Sequence, residues 1–484
     1  MNTQIRRLFL IVVLMFAGLF LAVSNNQFLR AGELNADNRN ARTVMHASEV
    51  DRGPIIVAGD AIASSELIEG TRRFQRSYPQ GPLYAHVTGY FSASFTQATG
   101  MEDAADTVLQ GDSEALLAQR LKNLFTGSTR QGGGVVLTIN PDLQRIAAEQ
   151  LGNRKGAVVA IDTRTGGILA LQSSPSFDPN SLAAPDGEAT AQAYEALGAD
   201  PAKPLANRAI AGDLYAPGST FKVITTAVML DKGIATADTQ LESPVTTTLP
   251  GTNTQVSNIE SSECGSGNPT LKEAFARSCN TTFVLAADKL SHEDLADASS
   301  KFGFGSTLDI PLPVTPSSFP AETDPAQRAM ASIGQYDVRT TPLQMAMVAQ
   351  AIANKGELLT PYLVAEVVDS DLQTRSSATP VPRGRAVSAE TAQTLTDMMR
   401  ATVDEPYGTA NSLQIDGIPV AAKTGTAETG VNGQANAWVM GFAPADDPQI
   451  AFAVVVEGDE SDPVPHGGTV AGPIARAIVE AGVK

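Results

Sequence analysis

The chain has 484 residues, 34 Lys and Arg against 52 Asp and Glu, and a formal net charge of −18. That acidic balance repels polyanions and excludes a nucleic-acid-binding role. Hydrophobic residues make up 43% and charged residues 18%, enough apolar material for a sizeable core and, at this length, for two or three domains.

The N-terminus reads MNTQIRR and then LFLIVVLMFAGLFLAVSNNQFL, so residues 8–29 carry no charge. At about 1.5 Å per residue that run spans roughly 33 Å as a helix, enough for a bilayer core. Arg6 and Arg7 precede it, and no acidic residue occurs before Glu33. The positive-inside rule then makes residues 1–7 a cytoplasmic tail and 8–29 a transmembrane anchor in the cell membrane, with the rest of the chain extracytoplasmic. The rival reading is a cleaved signal peptide ending near Ala22-Val23-Ser24, although the apolar run is long for one. Both readings export the remainder.

Residues 30–135 form a polar, Gly/Pro-punctuated stretch. DRGPIIVAGDAIASS and RRFQRSYPQGPLYAHVTGY read as β-hairpins of an irregular module. GDSEALLAQRLKNLF reads as a short amphipathic helix with Leu116, Leu117, Leu121 and Leu124 on one face, and GSTRQGGG at 127–134 as a linker. A second body, 136–484, opens on VVLTINPDLQRIAAEQL, a strand leading into a helix capped at Asn140-Pro141-Asp142. GAVVAIDTRTGGILALQSSPSFDP is two apolar strands around a Thr-Arg-Thr-Gly-Gly turn. Further strands follow late in the chain at GIPVAAKTGTA, NAWVMGFAP and QIAFAVVVEG, before a closing helix, AGPIARAIVEAGV. Strands at both ends with helices between them predict an α+β fold: one antiparallel sheet with helices packed on it. No repeat or P-loop occurs, and no C-terminal accessory domain is expected. His46, His86, His292 and His466 are scattered without ligand spacing and read as surface or capping residues rather than a metal site.

Three short stretches carry chemistry. In YAPGSTFKVITTAVML, Pro217-Gly218 make a turn, Ser219 opens an apolar helix, and Lys222 follows on the same helix face. Backbone N–H groups at a helix start favour an alkoxide and an oxyanion near Ser219. Burial against Val223, Ile224 and Val228 would depress the Lys222 pKa and make it a general base. About two S-x-x-K matches arise by chance in such a chain, so alone this motif favours a capped core helix with a snorkelling Lys. The second stretch is Ser278-Cys279-Asn280, between the helical patterns TLKEAFARS and TTFVLAADKL. Ser278 is placed to relay a proton and Asn280 to hold a substrate amide or carbonyl; in isolation a helix-capping loop explains the pattern as well. The third is VAAKTGTAE. There Lys423, Thr424 and Thr426 offer a cation and hydroxyls to a carboxylate, and Gly425 lets a substrate backbone lie against the strand edge. A bare strand-end turn is the plain alternative.

S-x-x-K, S-x-N and K-T-G in this order form the active-site set of penicillin-binding proteins and serine β-lactamases. NRAIAGDLYAPGSTFKV, GQYDVRTTPLQMAMVAQAIANKG, KTGTAETG and AWVMGFAP resemble class B penicillin-binding proteins, the monofunctional transpeptidases, in their actinobacterial, mycobacterial-type branch. The resemblance covers about residues 50 to 480. It implies the penicillin-binding transpeptidase fold over 136–484, with a smaller β-rich pedestal or dimerisation-like domain at 30–135. It also implies that Ser219 attacks the penultimate D-Ala carbonyl of a peptidoglycan stem peptide, with the N–H groups of Ser219 and Thr426 as oxyanion hole. An amine from a neighbouring stem resolves the acyl-enzyme, and β-lactams acylate the same serine. No metal or organic cofactor is implied. Implied partners are lipid-linked precursor, a SEDS-type glycan polymerase, and proteins of the divisome or the elongation machinery. Two positions depart from the family: Cys279 stands where serine or another small residue is frequent, and Tyr336 follows Gln335 where glycine is more usual.

Cys264 and Cys279 are the only cysteines. In an exported chain they can pair. A Cys264–Cys279 disulfide is expected to hold the Ser278/Asn280 loop, with two unpaired thiols as the alternative. Competing functions are a D,D-carboxypeptidase, in which water replaces the amine, a β-lactamase, and a non-catalytic β-lactam-binding scaffold. No E-x-x-L-N string lies between Ser278 and Lys423 to activate water as in class A β-lactamases. The three intact motifs argue against a scaffold.

Overall fold

The computed structural model describes residues 2–29, 48–95, 97–116, 131–258, 263–308, 310–431 and 433–483. The segment expected as a helix over 111–125 is described only to Leu116, which is buried; Leu117, Leu121, Leu124 and His46 lie outside the described residues.

A five-stranded antiparallel sheet organises the C-terminal body, in the order Ala421–Glu428, Ala435–Ala443, Ile450–Glu457, Gly156–Asp162, Ile168–Ser174. The run IAFAVVV is buried throughout because both faces of its strand are covered. Ala451, Ala453 and Val455 join the core containing helix Pro342–Ala353. Ile450, Phe452, Val454 and Val456 face the other way, toward Leu143, Ala147 and Leu151 of helix Pro141–Leu151 and Ile474 and Ile478 of helix Gly472–Gly482. Helix 342–353 is apolar apart from Gln344 and Gln350 and is sealed inside, as a helix with so little polar surface must be. Helix 141–151 starts where the sequence indicates: the Asn140 side chain accepts from the N–H groups of Asp142 and Leu143.

The N-terminal residues build a second sheet. Strands Ile55–Val57 and Asp60–Leu67 form the expected hairpin, and Phe74–Ser77 extends it. Strand Gly134–Leu137 pairs in parallel with 55–57. Its other edge takes Val364–Val368 and then Thr374–Ser377, from far along the chain. Arg52, Arg76 and Glu102 form a buried charge cluster, with Arg52 Nε to Glu102 at 3.0 Å and Arg76 Nε to Glu102 at 2.6 Å, and Arg52 also reaches the partly exposed Asp106 at 2.6 Å.

Two local expectations are corrected. GPLYAHVT is helix Gly81–Thr88, with Pro82 in its first turn and Tyr84, Ala85 and Val87 buried, not a strand; proline is pre-set for a helix start and lacks the N–H a ladder needs. Gly132 and Gly133 are not linker residues. A Cβ on Gly132 would lie 1.8 Å from the Leu109 carbonyl oxygen, and one on Gly53 would lie 1.8 Å from that of Gly133. The glycines let three backbones pack at near contact.

Among the described residues one helix, Thr3–Gln27, is long and apolar enough to cross a membrane, and its side chains, including Phe9, Leu14, Phe16 and Phe20, are exposed.

Candidate active site

The nucleophile turn is wedged into the sheet edge. Gly218 sits at φ +54, where a Cβ would come within 2.9 Å of the Thr426 carbonyl oxygen. Its N–H donates to the Gly334 carbonyl at 2.9 Å, and the Trp438 indole N–H donates to Ala216 O at 3.1 Å. Gly218–Phe221 is a 3₁₀ turn that runs directly into helix Lys222–Asp231. Ser219 is thereby held at 7% exposure on the floor of a cleft of about 350 Å³.

Behind it lies a sealed polar cluster. Lys222 is fully buried; its Nζ donates to Ser278 O at 2.8 Å and Asn280 Oδ1 at 2.8 Å, and lies 3.5 Å from Ser278 Oγ. Lys423, also fully buried, donates to Ser278 Oγ at 2.9 Å and to Thr424 O at 2.9 Å. Ser278 Oγ thus joins two lysine amines that reach it from different elements. Burial, then the Lys423 charge, holds the Lys222 amine well below its ordinary pKa. Burial pushes Lys423 down to about 7. Two buried lysines with no carboxylate in contact among the described residues favour at least one neutral amine, the state a general base requires.

Ser278 adopts φ +60, a left-handed conformation unusual for a residue with a Cβ. Cys279 is disulfide-bonded to Cys264, which ties the turn Gly265–Gly267 to the start of helix Asn280–Ala286. Both cysteines line the cleft.

The placement of the sequence-derived residues differs in four respects. Asn280 faces Lys222 with its carbonyl and Ser257 O with its amide, at 3.1 Å, rather than the cleft; a buried ammonium needs such acceptors. Lys423 lies beneath the cleft surface on Ser278, whereas Thr424, Gly425 and Thr426 line the cleft. The space left by Gly425 is filled by the protein: a Cβ there would meet Pro217 O at 3.1 Å, Thr220 Cγ2 at 3.1 Å and Trp438 Cβ at 3.2 Å. Among the described residues, the acceptors of Lys222 are on Ser278 and Asn280, not on Ser219.

Several cleft residues carry no motif. Thr409 Oγ lies 2.5 Å from Thr424 Oγ. The Arg277 guanidinium stacks 4.5 Å over the Tyr407 ring while its Nε donates to Glu273 at 2.8 Å. His466 lines the cleft just before the turn Gly467–Ala471. His86, by contrast, is a core residue: its Nε2 lies 2.8 Å from Pro204 O, and burial holds its pKa down to about 4.

Comparisons with known proteins match this architecture. The family model described as the penicillin binding protein transpeptidase domain matches residues 156–480, and that of the penicillin binding protein A dimerisation domain matches residues 52–135. The chain is 42% identical over 495 residues to the peptidoglycan D,D-transpeptidase PbpA of Mycolicibacterium smegmatis, covering 100% of this chain and 99% of that protein. The protein of that name from Mycobacterium tuberculosis is 40% identical over 495 residues, with the same coverage. Among solved structures, penicillin-binding protein A from M. tuberculosis as its penicillin G acyl-enzyme complex matches with a TM-score of 0.84 and 42% identity, over 90% of this chain and 100% of that one.

Proposed function

The chain belongs to the class B penicillin-binding proteins, and from that premise we propose that it is a peptidoglycan D,D-transpeptidase working through a Ser219 acyl-enzyme. The observation that carries the mechanism is the Lys222–Ser278–Lys423 cluster, whose Ser278 lines the same cleft as Ser219.

In this reading Ser219 Oγ gives its proton to neutral Lys222 and attacks the penultimate D-Ala carbonyl. The N–H groups of Ser219 and Thr426 receive the developing oxyanion. Thr424 and Thr426 hold the terminal carboxylate, and Lys423 acts electrostatically through Ser278. The proton then passes through Ser278 to the departing D-Ala amine. An amine from a second stem attacks the ester and forms the cross-link, returning a proton to Ser219. A β-lactam enters the same sequence but leaves no small amine to depart, so the acyl-enzyme persists. The M. tuberculosis relative is known as a penicillin G acyl-enzyme, which supports this step.

The anchor at 8–29, with residues 1–7 in the cytoplasm, places the catalytic body outside the membrane, where stem peptides are. Residues 30–135 act as a pedestal and 136–484 as the catalytic domain. A SEDS-type glycan polymerase supplies the strands, within the divisome or the elongation machinery. Labelled penicillin tests the core of this reading: the wild-type protein gains one adduct on Ser219 by mass, and Ser219→Ala gains none. An adduct retained in Ser219→Ala overturns it.

A further inference from the structure

The Cys264–Cys279 bridge sits where a reagent can reach it. Both cysteines line the cleft that holds Ser219. Cys279 stands between Ser278 and Asn280, whose oxygens accept from Lys222 at 2.8 Å. Cys264 is the more open of the two, at 8% exposure against 1%. Among the described residues the pair packs with Ala274 in a small apolar cluster of its own, apart from the two large cores.

Strained backbone adjoins both ends of the bridge. Ser266, two residues after Cys264, lies at φ +57, and Ser278, one residue before Cys279, lies at φ +60. Left-handed residues with a Cβ cost free energy and persist only where their surroundings hold them. The turn after Cys264 has a tether elsewhere, since Gly267 O accepts from the Ser243 N–H at 2.8 Å. Opening the bridge therefore releases the Ser278 side from a turn that is itself anchored. Strand 421–428, paired along its length with 435–443, does not depend on the bridge.

We propose that this bridge is a redox modification site that controls the acyl-transfer centre: a dithiol reductant opens it and slows acylation of Ser219. The inference rests on the Ser219 reading above and adds regulation to the same site. A thiolate of the dithiol attacks Cys264 Sγ, the Cys264–Cys279 bond breaks, and Cys279 leaves as a thiolate that takes up a proton. The second thiol of the reductant then attacks the mixed disulfide, and Cys264 departs as a thiol. Two electrons pass from the dithiol to the bridge, and the dithiol ends as its own disulfide. Ser278 then relaxes from its left-handed conformation, and its oxygens part from Lys222 and Lys423. The bridged enzyme is the fast form and the reduced enzyme the slow one.

The test uses the full chain in detergent, with dithiothreitol as the reductant, removed by desalting before the assay, and fluorescent penicillin as the reporter. Alkylation with intact mass counts the thiols, and a thermal melt records folding. Without denaturant, dithiothreitol should open the bridge and leave two alkylated cysteines. The reduced protein should stay folded at the assay temperature while its acylation rate constant falls about tenfold or more, and reoxidation should restore it. Cys264→Ser combined with Cys279→Ser should show the low rate and no response to dithiothreitol. A bridge that opens only in denaturant overturns the proposal, as does full-rate acylation by the reduced protein or by the double variant. A rate loss that follows unfolding in the melt, or that reoxidation does not reverse, also overturns it. An oxidised wild-type protein that takes no penicillin on Ser219 overturns instead the reading on which the proposal rests.

Discussion

Lys423 Nζ lies 2.9 Å from Ser278 Oγ, while Lys222 Nζ lies 2.8 Å from the Ser278 carbonyl oxygen. One serine therefore couples two buried amines, and the protonation of either alters the other. Penicillin acylation should fall toward low pH, because a proton on the Lys222 amine, which burial holds well below its ordinary pKa, removes the base. Lys222→Arg, which cannot deprotonate, should lose about 10²–10⁴ in acylation rate. Rate constants from pH 5 to 9 check this; a flat profile contradicts it.

The same groups set a stability trend. Between about 7 and its ordinary value of 10.5, Lys423 binds fewer protons folded than unfolded. Its contribution to stability therefore rises with pH across that window, and the full burial penalty applies below about 7. Lys423→Met should flatten this dependence in denaturant titrations at pH 6 and 9.

The Cys264–Cys279 disulfide closes a loop with a sequence separation of 15, worth about 3 kcal/mol in the chain-entropy model. Cys264→Ser should lower stability by about that amount and raise hydrogen exchange around Ser278, the left-handed residue next to the bridge. Alkylation of the denatured, unreduced protein should label no thiol.

Gly334 sits at φ +72, and a Cβ there would lie 2.1 Å from Gly218 O. Gly334→Ala should cost about 1–3 kcal/mol and slow acylation, since it displaces the turn that carries Ser219. Thermal melts and acylation rates measured together separate the two effects.

Glu102 faces Arg52 at 3.0 Å and Arg76 at 2.6 Å, all three buried. Glu102→Ala leaves two guanidinium groups short of a partner and should cost about 3–5 kcal/mol. Limited proteolysis should locate the opening in residues 48–116, with penicillin acylation retained.

Much of the central sheet was legible because strand 450–457 declares itself as a continuous apolar run, and helix 141–151 announces its cap at Asn140. The Ser219, Ser278 and Lys423 stretches were legible because each keeps its chemistry within a few residues. What stayed hidden depends on distant approach. Nothing local in residues 364–377 says that they complete a sheet begun at 55–77. Gly132 and Gly133 read as a linker and Gly425 as room for a substrate backbone, but all three serve contact, since the neighbours that need the space lie far along the chain. Thr409 and His466 reach the cleft through tertiary packing and carry no motif of their own. Asn280 and Lys423 were identified as residues but not in orientation, which the demands of two buried ammonium groups decide.

The central claim is cross-linking, and reconstitution tests it most directly. The full chain, a glycan polymerase and lipid-linked precursor should yield cross-linked stem-peptide dimer, absent with Ser219→Ala and with penicillin. Release of D-Ala without dimer would contradict transpeptidation and point to a carboxypeptidase.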